Sequence, residues 1–161
     1  MNEIIAPDNT ELLKRIFGYL QSQKYIDVVR DVQKQIQDHA ELIDVPVEHH
    51  FAPGVYLRQM NAKAGTVVVS KMHRTEHMNV LLSGSLTIAT ENGIEYLKAP
   101  AVIKSMPGTK RIGYFHEDTS WMTVHPTDST DLEEIERQVI VPEEEVDRFI
   151  ASLQSKCKEI E

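Results

Sequence analysis

The chain has 161 residues, 41% of them hydrophobic and 26% charged, which suits one globular domain with a buried core and argues against intrinsic disorder. Its 25 acidic residues against 17 basic ones leave a formal charge of −8, which disfavours a general nucleic-acid binder, since that function needs a basic face for phosphates. A single cysteine, Cys157, excludes an internal disulfide and a Cys-rich zinc site.

The N-terminus, Met1 to Pro7, has no basic region leading into a long apolar stretch, and no apolar run elsewhere is long enough to cross a membrane. A cytoplasmic setting is the expectation. Residues 8–42 read as two helices. Asp8, Asn9 and Thr10 offer N-caps, and Leu12, Leu13, Ile16, Phe17 and Leu20 recur at helical spacing. Tyr25, Val28, Val29, Val32 and Ile36 repeat the pattern after a break at 21–24.

From Val45 to Val141 the periodicity changes. Runs at 55–60, 66–70, 79–82, 85–90, 94–97, 101–105, 110–114 and 121–125 read as strands. Turns are signalled at Pro53-Gly54, Ala64-Gly65, Ser83-Gly84, Asn92-Gly93 and Pro107-Gly108. His49-His50 reads as a loop pair. Many short strands at even spacing predict a mainly β sandwich or barrel. Beyond it, 131–137 reads as a short acidic helix and Val139–Val141 as a strand or extended arm. Pro142 and Glu143–Glu145 then open a C-terminal helix with Val146, Phe149, Ile150 and Leu153 on its apolar face.

His73 and His77 stand four apart, which on a helix would make half a zinc site. Their β-branched flanks instead place His73 at the end of one strand and His77 at the start of the next, so that both can point into a barrel.

The segment Gly65 to Gly84 resembles the first motif of the cupin superfamily, G-x5-H-x-H-x3-E-x6-G. Gly65, His73 and Gly84 match, while Lys71 stands at the first histidine and His77 at the glutamate. The second motif, G-x5-P-x-G-x2-H-x3-N, is fainter. Anchored on Gly108, it puts Arg111 at its histidine and Phe115 at its asparagine, with Pro107 displaced by one. Residues 55–136 also resemble small cupin proteins of tailed bacteriophages and prophages. The stretches that carry this are 71–77, 99–101, 107–111, 116–119 and 121–127.

The resemblance implies a small β-barrel of the double-stranded β-helix or jelly-roll type at 45–141, between an N-terminal helical extension (1–44) and a C-terminal helix (142–161). It implies a four-residue site of Lys71, His73, His77 and Arg111, where cupins hold a divalent metal. Arg111 cannot ligate a metal, because it stays protonated, and Lys71 would first have to lose a proton. Two neutral imidazoles could still hold a divalent ion such as Fe, Mn, Ni or Zn if His116, His125 or Glu76 joined them.

Two fixed cations and two imidazoles suit a small anion better. The leading expectation is thus a non-catalytic cupin that clamps an anionic molecule with Lys71 and Arg111, while His73 and His77 donate hydrogen bonds. A metal-dependent oxygenase, isomerase or lyase built on His73 and His77 is the second reading. A phage structural or interaction module with a packed barrel, sited in the host cytoplasm, is the third. Each is compatible with a homodimer or larger homo-oligomer, since the amphipathic ends need a surface to cover. The plain alternatives are satisfied barrel histidines, Arg111 paired with Glu76 or Glu117, and Lys71 extended to the rim.

Overall fold

The computed structural model describes residues 3–5, 25–90 and 93–158. The first expected helix, the break at 21–24 and Asn92 lie outside the described residues. The chain is mainly β. Two five-stranded antiparallel sheets face one another across a shared interior.

One sheet holds β1 (Glu3–Ile5), β4 (Val67–Val69), β10 (Ile112–Phe115), β7 (Ser85–Thr90) and β8 (Gly93–Lys98), in that order. The other holds β2 (Val47–Ala52), β3 (Val55–Ala62), β11 (Thr119–His125), β6 (His77–Ser83) and β9 (Ala101–Ser105). The pairings are nested. β7 pairs with β8, β6 with β9, β4 with β10 and β3 with β11. This is a long hairpin rolled upon itself, the jelly-roll topology.

At Ser83–Gly84 the chain leaves one sheet for the other. Gly84 has φ 85°, and a Cβ there would stand 2.7 Å from the Asp118 carbonyl, so this crossing admits only glycine.

The run Val67-Val68-Val69 is buried at every position because both faces of β4 are covered. Val68 faces the interior with Met60, Leu81, Leu86, Ile88, Phe115 and Trp121. Val67 and Val69 face outward onto helix α1 (Tyr25–His39), where they meet Val28, Val29, Val32 and Ile36. The Tyr25 hydroxyl ties α1 to the sheet by donating to the carbonyls of Ala89 and Lys110. Ile36 is 2% exposed, so Ile36→Ala is expected to cost roughly 2–4 kcal/mol in urea unfolding; a loss under about 1 kcal/mol would mean that α1 is not part of the core.

The C-terminal part straps one end of the barrel. Helix α2 (Leu132–Val139) is capped by the Asp131 carboxylate, which accepts from the backbone N–H of Glu133 and Glu134. Its Ile135 and Val139 pack on Tyr56. Strand β12 (Ile140–Val141) pairs with β5 (Met72–His73), and Ile140 lies opposite His73. A single 3₁₀ turn (Glu143–Glu145) leads into α3 (Val146–Lys158). There Val146 and Phe149 meet Met72, Val141 and Ile26. Arg30 of α1 pairs with Glu143 at 2.7 Å and Asp147 at 2.8 Å, so the helices at the two ends of the chain are joined. No helix among the described residues is long and apolar enough to cross a membrane.

The loop expected at His49-His50 is corrected. Both lie in β2, an edge strand whose polar side chains are nearly all exposed. Pro53 and Gly54 (φ 76°) form the two-residue turn to β3, with proline and glycine at the positions that a type II turn prefers.

Candidate functional site

Strand alternation and register sort the interior into layers. On the sheet containing β3, β11, β6 and β9, one row reads Tyr56, His125, His77 and Ser105. The next reads Arg58, Thr123, Asn79 and Ile103. The third reads Met60, Trp121, Leu81 and Ala101. Polarity therefore falls from one end of the barrel to the other. The facing sheet repeats the gradient, with Ser70, Lys71 and Arg111 at the polar end and Val68, Ile88, Leu86 and Phe115 beyond.

These residues enclose a cavity of about 560 Å³, within the range of small-molecule sites. Ile135, Glu136 and Val139 of α2 line it as well. The packed barrel expected for a scaffold is thus not what forms.

All four residues marked by the first and second motifs line this cavity. His73 ends β5 and His77 opens β6, as their flanks predict. Their ring centroids lie 4.2 Å apart. His125 joins them at 4.8 Å from His77 and 5.8 Å from His73. Of the three supplementary ligands considered, only His125 reaches the cluster. His116 bonds Thr87 at 2.7 Å and stands against Tyr96 and Tyr114. Glu76 pairs with Lys104.

The expected ion pairs of Arg111 with Glu76 or Glu117 are not formed. Glu117 accepts from the Ser85 hydroxyl at 2.7 Å. Arg111 donates to Ser105 Oγ at 2.5 Å, and Asn79 Nδ2 donates to the same oxygen at 2.7 Å. Lys71 does not extend freely to the rim, because Glu136 of α2 holds it in an ion pair. The reason is geometric. The pairing of β5 with β12 brings α2 over the barrel end, a contact between segments some sixty residues apart.

The sequence reading also missed Arg58. It stands in the cavity lining between Tyr56 and Met60 on the inward phase of β3. Among the described residues its guanidinium forms no hydrogen bond or ion pair, and Glu136 acts on it only through space. Burial lowers its pKa. The signal was available: an arginine in phase with Tyr56, Met60 and Ala62 occupies a position that alternation assigns to the interior. Two polar atoms in the same rows lack partners among the described residues, Thr123 Oγ1 and His125 Nδ1. Thr123 is 8% exposed and His125 2%. Buried polar groups in folded proteins ordinarily find partners, so these two mark where a ligand's acceptors would fall.

The electrostatics follow from burial beside cations. Burial drives the His73 pKa well below the ordinary imidazole range, with His77, His125, Arg111 and Arg58 adding to it. Burial lowers His77 too, against a hydrogen bond from its Nδ1 to the Thr75 carbonyl at 3.1 Å. Burial, then His77 and Arg58, takes His125 to about 4. Desolvation leads at all three histidines, Arg111 contributes at His73 and His77, and Arg58 contributes at His73 and His125. Lys71 itself is raised, because Glu136 outweighs the effect of burial. At neutral pH the cluster is therefore three neutral imidazoles beside three cations.

A metal fits this arrangement poorly. The rings of His73 and His125 lie nearly parallel, at 9°, and His77 tilts by 34° and 32° to the two of them. Among the described residues no group of three or more His, Cys, Asp and Glu side chains has the geometry to hold a metal.

No family model and no curated protein matches the chain. Solved structures are similar at low identity. KdgF from Halomonas sp. aligns with 55% of this chain and 83% of its own, at 12% identity and a TM-score of 0.47. The EutQ protein of Clostridium difficile aligns with 55% and 69%, at 19% identity and a TM-score of 0.43. An acetylacetone dioxygenase from Acinetobacter johnsonii aligns with 51% and 59%, at 14% identity and a TM-score of 0.42, so this chain spans under two thirds of that protein. By its own nested strand order, the chain is a jelly roll, the fold that the resemblance implied.

Proposed function

We propose that this barrel is a binding module for a small anionic molecule, held at its polar end by Arg58, Lys71 and Arg111. The observation that carries the reading is Arg58, a cation in the cavity wall with no counter-ion bonded to it among the described residues. A half-buried charge that Glu136 compensates only through space is costly, and a bound anion offsets that cost. Neutral His125 and the Thr123 hydroxyl then supply donors to the same anion. In this reading Lys71 and Arg111 clamp the anion and His73 and His77 donate hydrogen bonds to it, with Arg58 as a further clamp. The role proposed is recognition.

Native mass spectrometry with elemental analysis, on protein purified without chelator, tests the reading. The expected result is an anion carried through purification and no stoichiometric metal. One metal per chain, lost in His73→Ala, would overturn it in favour of a metal-dependent cupin using His73, His77 and His125.

A further inference from the structure

The anion reading concerns one end of the cavity only. The other end has a separate chemistry. Beyond the Arg58 row the wall is Met60 and Trp121 on one sheet and Val68, Leu86, Ile88 and Phe115 on the other. Apart from Asp44, an exposed residue whose neighbours Ile43 and Val45 pack on the apolar cluster, the charged side chains of the lining sit with Arg58 or nearer to α2. A small hydrophilic anion, such as inorganic phosphate, would occupy the polar end and leave the remaining volume lined by hydrocarbon. A dicarboxylate, or a sugar acid with hydroxyls along its length, would press polar groups against a wall without partners for them, which is costly. An apolar body, by contrast, gains by leaving water for that wall. The cations are confined to one end, so the ligand needs its charge at one end as well.

We infer that the ligand is an amphiphilic acid: one anionic head seated against Arg58, Lys71 and Arg111, and an acyl or aryl body lying between Met60 and Trp121 on one side and Leu86 and Phe115 on the other. This rests on the anion reading and adds the ligand class to it.

The test is a chain-length series on the intact wild-type protein, titrated by NMR or calorimetry near pH 7. Acetate is compared with butanoate, hexanoate and octanoate, and inorganic phosphate with octyl phosphate, so that the two head groups are told apart. Each buried methylene adds about fourfold to affinity at best, so octanoate is expected to bind about 100-fold or more tightly than acetate. Arg58→Met is expected to weaken both members of each pair. Ile88→Trp, which fills the apolar end, is expected to bring octanoate affinity down toward that of acetate. Because the series uses the wild-type chain, the outcome does not depend on that variant folding.

Equal affinity for acetate and octanoate would overturn the amphiphile inference and leave the anion reading standing. Octanoate binding that ignores Arg58→Met would overturn the anion reading and leave only an apolar pocket. No binding by any member of the series would overturn both.

Discussion

Arg58→Met is expected to weaken anion binding strongly and, without ligand, to make the protein more stable. A charge-assisted hydrogen bond contributes roughly 1.5–3 kcal/mol, so affinity for a carboxylate should fall about 10- to 150-fold. The stability change has the opposite sign. Arg58 is a cavity-wall cation without a bonded partner among the described residues, and Met keeps most of its hydrocarbon while removing the charge. Replacing poorly compensated buried charge by an apolar group gains on the order of 1 kcal/mol. Lys71→Met should behave differently. Lys71 already has Glu136, and its side chain is 38% exposed, so its loss is expected to weaken anion binding less than tenfold, with little change in stability. Urea unfolding and anion titration on the two variants check both halves. An Arg58→Met protein that unfolds at lower urea than wild type would show Arg58 to be a structural residue, and the anion site would lose its principal support.

The second large effect is with pH. Native His125 stays neutral down to about pH 4, whereas an imidazole in the unfolded chain takes up a proton near pH 6.5. Between those values the unfolded state binds more protons, so stability falls as the pH falls. The groups facing His125 are Tyr56, His73, His77 and Arg58, and none supplies a negative charge at these pH values. For His125 alone the loss across the window is about 3 kcal/mol. His73 and His77 shift in the same direction and add to it.

The paired carboxylates act in a separate range. Lys71 holds the Glu136 pKa down, and the Glu143 pKa is lowered too, by Lys110 and Arg30 against the effect of burial. Their stabilisation is present above the ordinary carboxylate pKa and is lost only as the pH falls through their own lowered values. Urea midpoints measured from pH 7 to pH 4 should therefore fall steeply below pH 6.5. His125→Phe, which keeps a ring against Tyr56 and His77, should remove about 3 kcal/mol of that fall. A flat profile, or an unchanged slope in His125→Phe, would contradict the buried neutral cluster. An anion that binds at Arg58 should flatten the wild-type profile, because its charge favours the imidazolium forms.

Much of the fold was legible because period-two alternation and glycine-marked turns are local signals. Strands β7 and β9 run over the predicted residues, and β3, β4, β6, β8, β10, β11 and β12 differ by one or two residues at an end. The short strands β1 and β5 were not among the predicted runs, and β2 was missed for a physical reason: Val47-Glu48-His49-His50-Phe51-Ala52 lies at a sheet edge, largely exposed, and carries no apolar face to read. The spacing of Gly65, His73, His77 and Gly84 was informative because it fixes a strand, a short turn and a second strand within twenty residues. By itself, then, the sequence determined a mainly β chain with flanking helices, a pair of inward histidines and a site whose metal-ligand positions are partly basic.

Only the tertiary structure decided the rest. Alternation says which residues share a face, not which face looks inward or which strands are neighbours. His125 joins His77 because β11 pairs with β6 across some forty-five residues of chain, and Arg58 meets Thr123 because β11 also pairs with β3. Glu136 reaches Lys71 because β12 pairs with β5. Register of this kind is set by the packing of two sheets against one another and of α1 against the outside of one, which no local window of sequence contains.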